Sequence, residues 1–485
     1  MADSSKTTPL APRRAGKGME LAQLDPEFSR YHAARIQFMG SGRSPTCGTI
    51  VSLAPTVVAN RLVFPFEVDG NVHRLNVDFP GTIDLDVPSR AYYLGVAMSE
   101  AYRLAEIITP TDIHFPWYPC PWWERAWWQE DIAWYLQQKL FLEKWAWNRM
   151  PRINFPISNA ADNAVVKEAR QIKSGYLLAV SGGKESTFAW EWLRRARLRH
   201  EAFTLHHSGG YLGNQWESKF PVFDSIRSEC TLHELRQYPD TDPAVRFGYQ
   251  GVRNDPTITN ALFLMMVVAE ARGFKYLALA NDRSSNEGNT VHEGREVNHQ
   301  SAKGSAYIKR FNEYCAAKGL VFRYVSLCEE AYSLGAVNYL AKWNVDLLRR
   351  LASCNEAQWS RSSDRWCRAC PKCAFSYALI EAAGGRELAI GTVGEDLILK
   401  PELLATWRAL FDPALDKPFE CVGEKRETAA ALGKLKRDSA EAGFPLGWLK
   451  DLPETSDYND FTPVLAPSGI PEADKQALAQ AITAP

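Results

Sequence analysis

From residue 173 onward the chain alternates two apolar patterns. YLLAV (176–180), EAFTLHH (201–207), KYLALAN (275–281) and LVFRYVSL (320–327) are short, nearly continuous apolar runs, as expected of strands buried on both faces. Between them lie longer stretches with helical spacing, notably ESTFAWEWLRRARLRH (185–200) and TITNALFLMMVVAEARG (257–273). This alternation predicts an α/β domain over 173–330, a doubly wound parallel sheet with right-handed crossovers. Upstream, 29–110 reads as an N-terminal α+β region, with β-like runs at RLVFPFEV (61–68) and HRLNVDF (73–79) before a helical piece at 89–108. Segment 111–172 opens with eight of the sixteen tryptophans, Trp117, Trp122, Trp123, Trp127, Trp128, Trp134, Trp145 and Trp147. The expectation there is a helix pair docked on the core by aromatic area. Residues 331–390 and 391–485 read as helical, and 1–28 as a polar, disordered tail.

Composition changes this picture little. At 485 residues the chain exceeds one ordinary core, so several domains are expected. The formal net charge of −1 gives no global footprint for nucleic acid or an anionic membrane. No apolar run approaches the ~18–20 residues needed to span a bilayer. The first eighteen residues lack the apolar core of an export signal. A soluble cytoplasmic protein with a small-molecule substrate is expected, with neither nucleic acid nor membrane as partner.

The junction between the first strand and helix of the α/β region reads SGGKES, residues 181–186. In an open α/β sheet, ligands bind beyond the carboxyl ends of the strands. Gly182 and Gly183 let backbone N–H groups approach an anion, while Ser181, Lys184 and Ser186 add donors and charge at a helix N-terminus. A Walker A loop is excluded, because Leu178 stands where its first glycine belongs and Glu185 follows the lysine. The stretch resembles the PP-loop, Ser-Gly-Gly-x-Asp-Ser, of N-type ATP pyrophosphatases. That resemblance implies an adenine nucleotide alpha hydrolase-like fold, ATP bound by its β,γ-pyrophosphate, and adenylation of a substrate. Glu185 replaces the usual aspartate as the candidate Mg²⁺ ligand.

Cys367, Cys370 and Cys373 follow at two-residue intervals, with Cys354 upstream. Four thiolates so spaced suit a closed, structural Zn²⁺ site, and an iron–sulfur cluster lacks its usual spacing. A similar arrangement after a PP-loop occurs in 7-cyano-7-deazaguanine synthases.

Three further stretches narrow the choice: ANDRSSNEGN (280–289), GREVNHQSAKGSAYIKRF (294–311) and DKPFECVGEKRET (416–428). With SGGKES and RWCRACPKCAF they closely resemble the UDP-N-acetylmuramoyl-L-alanyl-L-glutamate epimerase family, in dispersed motifs over about 175–428. The resemblance implies ATP- and Mg²⁺-dependent conversion of a peptide-terminal L-glutamate to D-glutamate. Acyl adenylation would remove the carboxylate charge, so that the α-proton can leave one face and return on the other. Inversion needs an acceptor and a donor. His299, Lys303, Glu287 and Cys421 are the candidates, with Lys184, Arg283 and Lys303 available to stabilise developing charge. Asn281 and Arg283, following a strand, are expected to line the nucleotide pocket. His206 or its neighbour His207, ending the second strand, is a candidate at the adenosine.

Two other readings compete. A deazaguanine-type ligase would need ammonia and a carboxylated deazapurine, and the loops at 294–303 and 416–427 argue against it. A tRNA-modifying module could stack bases on the Trp-rich segment, but the neutral net charge weighs against that.

Overall fold

The computed structural model describes residues 46–81, 83–85, 90–156, 172–207, 221–241, 257–354, 364–441, 447–452 and 457–483. The predicted tail over 1–28 lies outside them, as does the His207 side chain. The strands are β1 (Thr46–Ser52), β2 (Thr56–Val58), β3 (Arg61–Val68), β4 (Asn71–Asp78), β5 (Thr109–His114), β6 (Arg152–Asn154), β7 (Lys173–Ala179), β8 (His200–His207), β9 (Leu232–Pro239), β10 (Phe274–Leu279), β11 (Thr290–His292), β12 (Arg295–Val297) and β13 (Arg323–Ser326). The helices are α1 (Arg90–Ile107), α2 (Trp122–Glu143), α3 (Lys184–Arg195), α4 (Val222–Glu229), α5 (Thr257–Arg272), α6 (Ser305–Ala317), α7 (Ser333–Trp343), α8 (Val345–Arg350), α9 (Pro371–Gly384), α10 (Arg386–Val393), α11 (Leu404–Phe411), α12 (Lys425–Glu441) and α13 (Glu472–Thr483).

Among the described residues, eleven strands form one sheet in the order β13-β10-β7-β8-β9-β4-β3-β1-β5-β6, with β2 on β3, while β11 and β12 make a separate hairpin. From β13 to β9 all neighbours are parallel. The chain winds outward from β7 to β9, then returns to the other side of β7 for β10 and β13. The order therefore reverses between β7 and β10. Loops at such a switch point splay apart above the strand ends and leave a crevice. The Gly-Gly loop follows β7 and ANDRSS follows β10, so the sequence places two of its quoted motifs on that crevice.

Side chains alternate between two cores, one on each face of the sheet. Tyr176 and Leu178 pack with α3, α7, α9 and α12, whereas Leu177 and Phe203 pack with α1, α2, α5 and α6. Helix α5 is apolar all round and is buried accordingly. Among the described residues, no helix is long and apolar enough to cross a membrane.

The structure differs from the sequence-based expectation in two places. The N-terminal strands are joined to the parallel part, because β4 pairs antiparallel with β9. Strand β9 escaped the hydropathy pattern because its buried positions include His233 and Gln237, which are satisfied by Glu201 at 2.6 Å and Asn260 at 2.5 Å. The Trp-rich segment forms one 22-residue helix, α2, instead of a helix pair. It contains neither glycine nor proline to break it. Trp127 and Trp128 are buried against Tyr314, while Trp122 is 80% exposed.

Candidate active site

The loop after β7 turns on Gly182, whose φ of +76° lies in the left-handed region that suits glycine. Gly183 occupies the N-cap of α3 with no side-chain cap. The first-turn N–H groups therefore remain available to an anion at the positive end of the helix. Ser186 Oγ accepts from the Ser181 N–H at 3.2 Å and donates to the Gly183 carbonyl at 3.3 Å, which closes the loop on itself. Lys184 is buried, with its ammonium over the Phe375 ring and 2.5 Å from Glu185.

A chain of carboxylates runs beneath this loop. Ser333, at the start of α7, stands between Glu185 at 2.6 Å and Asp282 at 2.5 Å. Glu427, from α12, accepts from the Leu334 N–H at 2.7 Å and from Ser284 at 3.0 Å. Burial opposes charge on Glu185, but Lys184 and Ser333 hold its carboxyl well below the usual range. Burial and then the Glu185 charge push Asp282 up to about 6. Burial and then Asp282 push Glu427 up to about 8. Three carboxyls so close cannot all ionise near neutrality, and their environments drive their proton affinities apart.

A second group gathers around Cys421. Lys303, in the turn Ser301–Lys303 after β12, donates to Cys421 Sγ at 2.9 Å. His299 Nδ1 meets Gln138 Oε1 of α2 at 2.7 Å, and the Asn289 side chain receives the His299 N–H at 2.7 Å. Burial alone would raise the Cys421 thiol. The Lys303 charge, the hydrogen bond from His299 and the Lys372 charge outweigh it and hold the thiol well below its ordinary range. Such an environment favours the thiolate, the nucleophilic and basic form of cysteine. The two groups share one space: Lys372 feels both Cys421 and Glu185, and Asp282 feels both Lys184 and Lys303.

Lys372 is placed by the cysteine cluster. The sulfurs of Cys354, Cys367, Cys370 and Cys373 are buried and lie within 4.8 Å of one another, Cys367 and Cys373 at 3.7 Å. Thiolates ~2.3 Å from one Zn²⁺ in a tetrahedron are spaced ~3.8 Å apart, so the residues fit that ion. Backbone N–H groups of Cys367, Cys370 and Cys373 point at the sulfurs of Cys354, Cys367 and Cys370 at 3.3–3.4 Å, where they would steady metal-bound thiolates.

The other predicted residues occupy different surroundings. Glu287 is engaged by Lys417, which sits 3.0 Å from both its carboxylate and its carbonyl. Asn281 is turned under the loop, its amide 2.5 Å from the Tyr324 hydroxyl. Arg283 is exposed, over the Tyr332 ring. His206 ends β8 with its ring on Glu234, which also holds Arg227. Sequence reasoning missed Asp282, Lys372 and Glu427, although all three lie inside quoted motifs. It also missed Ser333 and Gln138, for which no local signal exists.

A UDP-N-acetyl-alpha-D-muramoyl-L-alanyl-L-glutamate epimerase of Salinispora tropica is 30% identical over 298 residues, covering 60% of this chain and 60% of the relative. A protein of the same name from Micromonospora sp. is 30% identical over 317 residues, covering 63% and 68% respectively. The chain belongs to the UDP-N-acetyl-alpha-D-muramoyl-L-alanyl-L-glutamate epimerase family. A further member of this epimerase family, from Xanthomonas oryzae pv. oryzae, is 26% identical over 329 residues, covering 66% and 70%. The family model described as MurL N-terminal domain matches 248–327, and that described as MurL C-terminal domain matches 350–455. The first spans Asp282, His299 and Lys303; the second spans the cysteine cluster, Cys421 and Glu427. The Gly-Gly loop and Gln138 lie outside both. No solved structure matches the chain.

Proposed function

We propose that this chain is an ATP-dependent epimerase of PP-loop type, acting on the terminal L-glutamate of UDP-N-acetylmuramoyl-L-alanyl-L-glutamate in peptidoglycan precursor synthesis. The observation that carries the reading is the convergence at one switch point of two kinds of machinery. The anion-receptive Gly-Gly loop lies on one side. The thiol held toward thiolate by two lysines and a histidine lies on the other.

The α-hydrogen beside a free carboxylate is a very weak acid, because its loss places a second negative charge beside the first. In the proposed sequence a glutamate carboxylate oxygen attacks the α-phosphorus of ATP, the bond to the β-phosphate breaks, and pyrophosphate leaves. Ser181, the amides of Gly182 and Gly183, Lys184 and Ser186 receive the leaving phosphates. The adenylated carboxyl is now uncharged and can take electrons. The Cα–H bond breaks toward a base, its electron pair moves to the carbonyl oxygen, and a proton returns on the opposite face. Cys421, held toward thiolate by Lys303, is the proposed base, the returning proton comes from solvent on the other face, and Lys372 steadies the enolate charge; one well-placed group of that kind is typically worth about 3 kcal/mol. Water then cleaves the mixed anhydride, giving the D-glutamyl carboxylate and AMP. ATP cleavage drives an otherwise balanced L/D exchange.

Glu185, with Asp282 beside it, is the candidate to hold Mg²⁺, whose charge would offset that of the phosphates. The four cysteines would hold a structural Zn²⁺ that fixes the start of α9, and with it Lys372. Incubation with ATP, Mg²⁺ and the L-glutamyl substrate in D₂O is expected to yield α-deuterated D-epimer, AMP and pyrophosphate. Release of ADP in place of AMP would exclude adenylation, and an amide or nitrile product would mark a ligase.

A further inference from the structure

Helix α2 grips the loop before α6 at three points. Gln137 Oε1 receives the Asn298 N–H at 3.1 Å, and the Trp134 carbonyl receives the Ser301 hydroxyl at 2.9 Å. These two contacts hold the loop. The third differs in kind, because Gln138 Oε1 reaches the ring of His299 at 2.7 Å. A carboxamide oxygen only accepts, so Nδ1 donates in this contact, which sets the plane of the ring. The His299 ring is in turn one of the groups that hold the Cys421 thiol below its ordinary range. The cost of this arrangement is visible. Gln138 is 1% exposed, and its Nε2 has no hydrogen-bond partner among the described residues. A buried donor left unsatisfied typically costs ~1–3 kcal/mol, and an apolar side chain would fill the space without that cost. A buried polar group kept under such terms calls for an explanation, and a catalytic role is one of the recognised ones.

We propose that Gln138, from the tryptophan-rich helix, is a positioning residue for proton transfer at Cys421, acting through the His299 imidazole. The proton-transfer role rests on the epimerase reading; the coupling of Gln138 to the sulfur does not. The groups facing the sulfur are Lys303 from the turn after β12, His299 from the same loop, and Lys372 from α9. Glu420 stands on the sulfur's own loop, and Glu185 and Asp282 lie across the site. Removing the Gln138 oxygen frees the ring without touching any of these charges.

The test uses full-length wild type, Gln138→Met and Gln138→Glu. Two quantities are followed: alkylation of Cys421 by iodoacetamide, resolved by peptide mass spectrometry from pH 5 to 10, and α-deuterium uptake set against pyrophosphate release. For Gln138→Met the midpoint of Cys421 alkylation is expected to move to higher pH. Deuterium uptake should fall by roughly 100-fold, as misplacement of a reacting group does, with pyrophosphate release unchanged. Gln138→Glu, which keeps an acceptor oxygen on Nδ1, should restore both. Should Gln138→Met not fold, Gln138→Glu alone decides, since a midpoint and uptake ratio far from wild type in that variant would overturn the proposal. An unchanged alkylation profile in Gln138→Met would also overturn it, as would equal loss of uptake and pyrophosphate release. If wild type releases no pyrophosphate with the L-glutamyl substrate, the epimerase reading fails, and the alkylation profile still decides the coupling.

Discussion

The two sides of the crevice are built from opposite materials. Beneath the Gly-Gly loop, Glu185, Asp282 and Glu427 crowd together, and the last two are pushed up to about 6 and about 8. Across from them Lys303 and Lys372 crowd around one sulfur and draw its proton affinity down. Burial is common to both sides and raises carboxyls and thiols alike; neighbouring charge decides the outcome. A carboxylate-rich wall suits cations and held protons, whereas a cation-ringed thiolate suits proton abstraction beside an anion. Pairs of groups whose environments drive their proton affinities apart are a general mark of acid–base sites.

The comparison breaks most sharply at Cys421. Cys421→Ser is expected to lower α-deuterium uptake by about 10²–10⁴-fold, the usual span for a lost acid–base group, while pyrophosphate release survives. Glu185→Gln should remove pyrophosphate release and, with no adenylate formed, deuterium uptake with it. Equal loss of both activities in Cys421→Ser would mean that the two sides do not act separately. A smaller effect is expected at Gly423, where an added methyl overlaps Glu427 Oε2 and the Phe375 ring beneath Lys184. Gly423→Ala should cost ~1–3 kcal/mol in urea unfolding, as overpacking does. Unchanged stability would show that Glu427 has room to move.

The smallest effect is one of pH. Glu427 has a folded-state proton affinity above its ordinary value of 4.5, so its contribution to stability is complete below that value and is lost as pH rises through about 8. Between pH 6 and 9 wild type should therefore lose more unfolding free energy than Glu427→Gln. Equal losses would place the charge elsewhere in the cluster.

How much of this was legible in the sequence follows from the range of each interaction. SGGKES was readable because loop, strand and helix are contiguous, and the cysteine quartet because its ligands fall at short, regular spacing. His299, Lys303 and Cys421 drew attention only as parts of recurring motifs, since their meeting depends on a contact between distant loops. Glu427 and Asp282 influence each other only after α12 folds over the switch point. Gln138 was hidden by its setting, a polar residue on a helix whose tryptophans advertise packing. Strand β9 was missed because hydropathy cannot foresee a buried histidine paired with Glu201, and with it went the continuity of the sheet.

That continuity bears on how such a chain can diversify. Because β4 covers the edge of β9 and α2 reaches across to His299, the tryptophan-rich half is no detachable module. Recombination that exchanged it between relatives would have to preserve both a strand register and one amide oxygen. Drift in the first half is thus answerable to chemistry performed by the second.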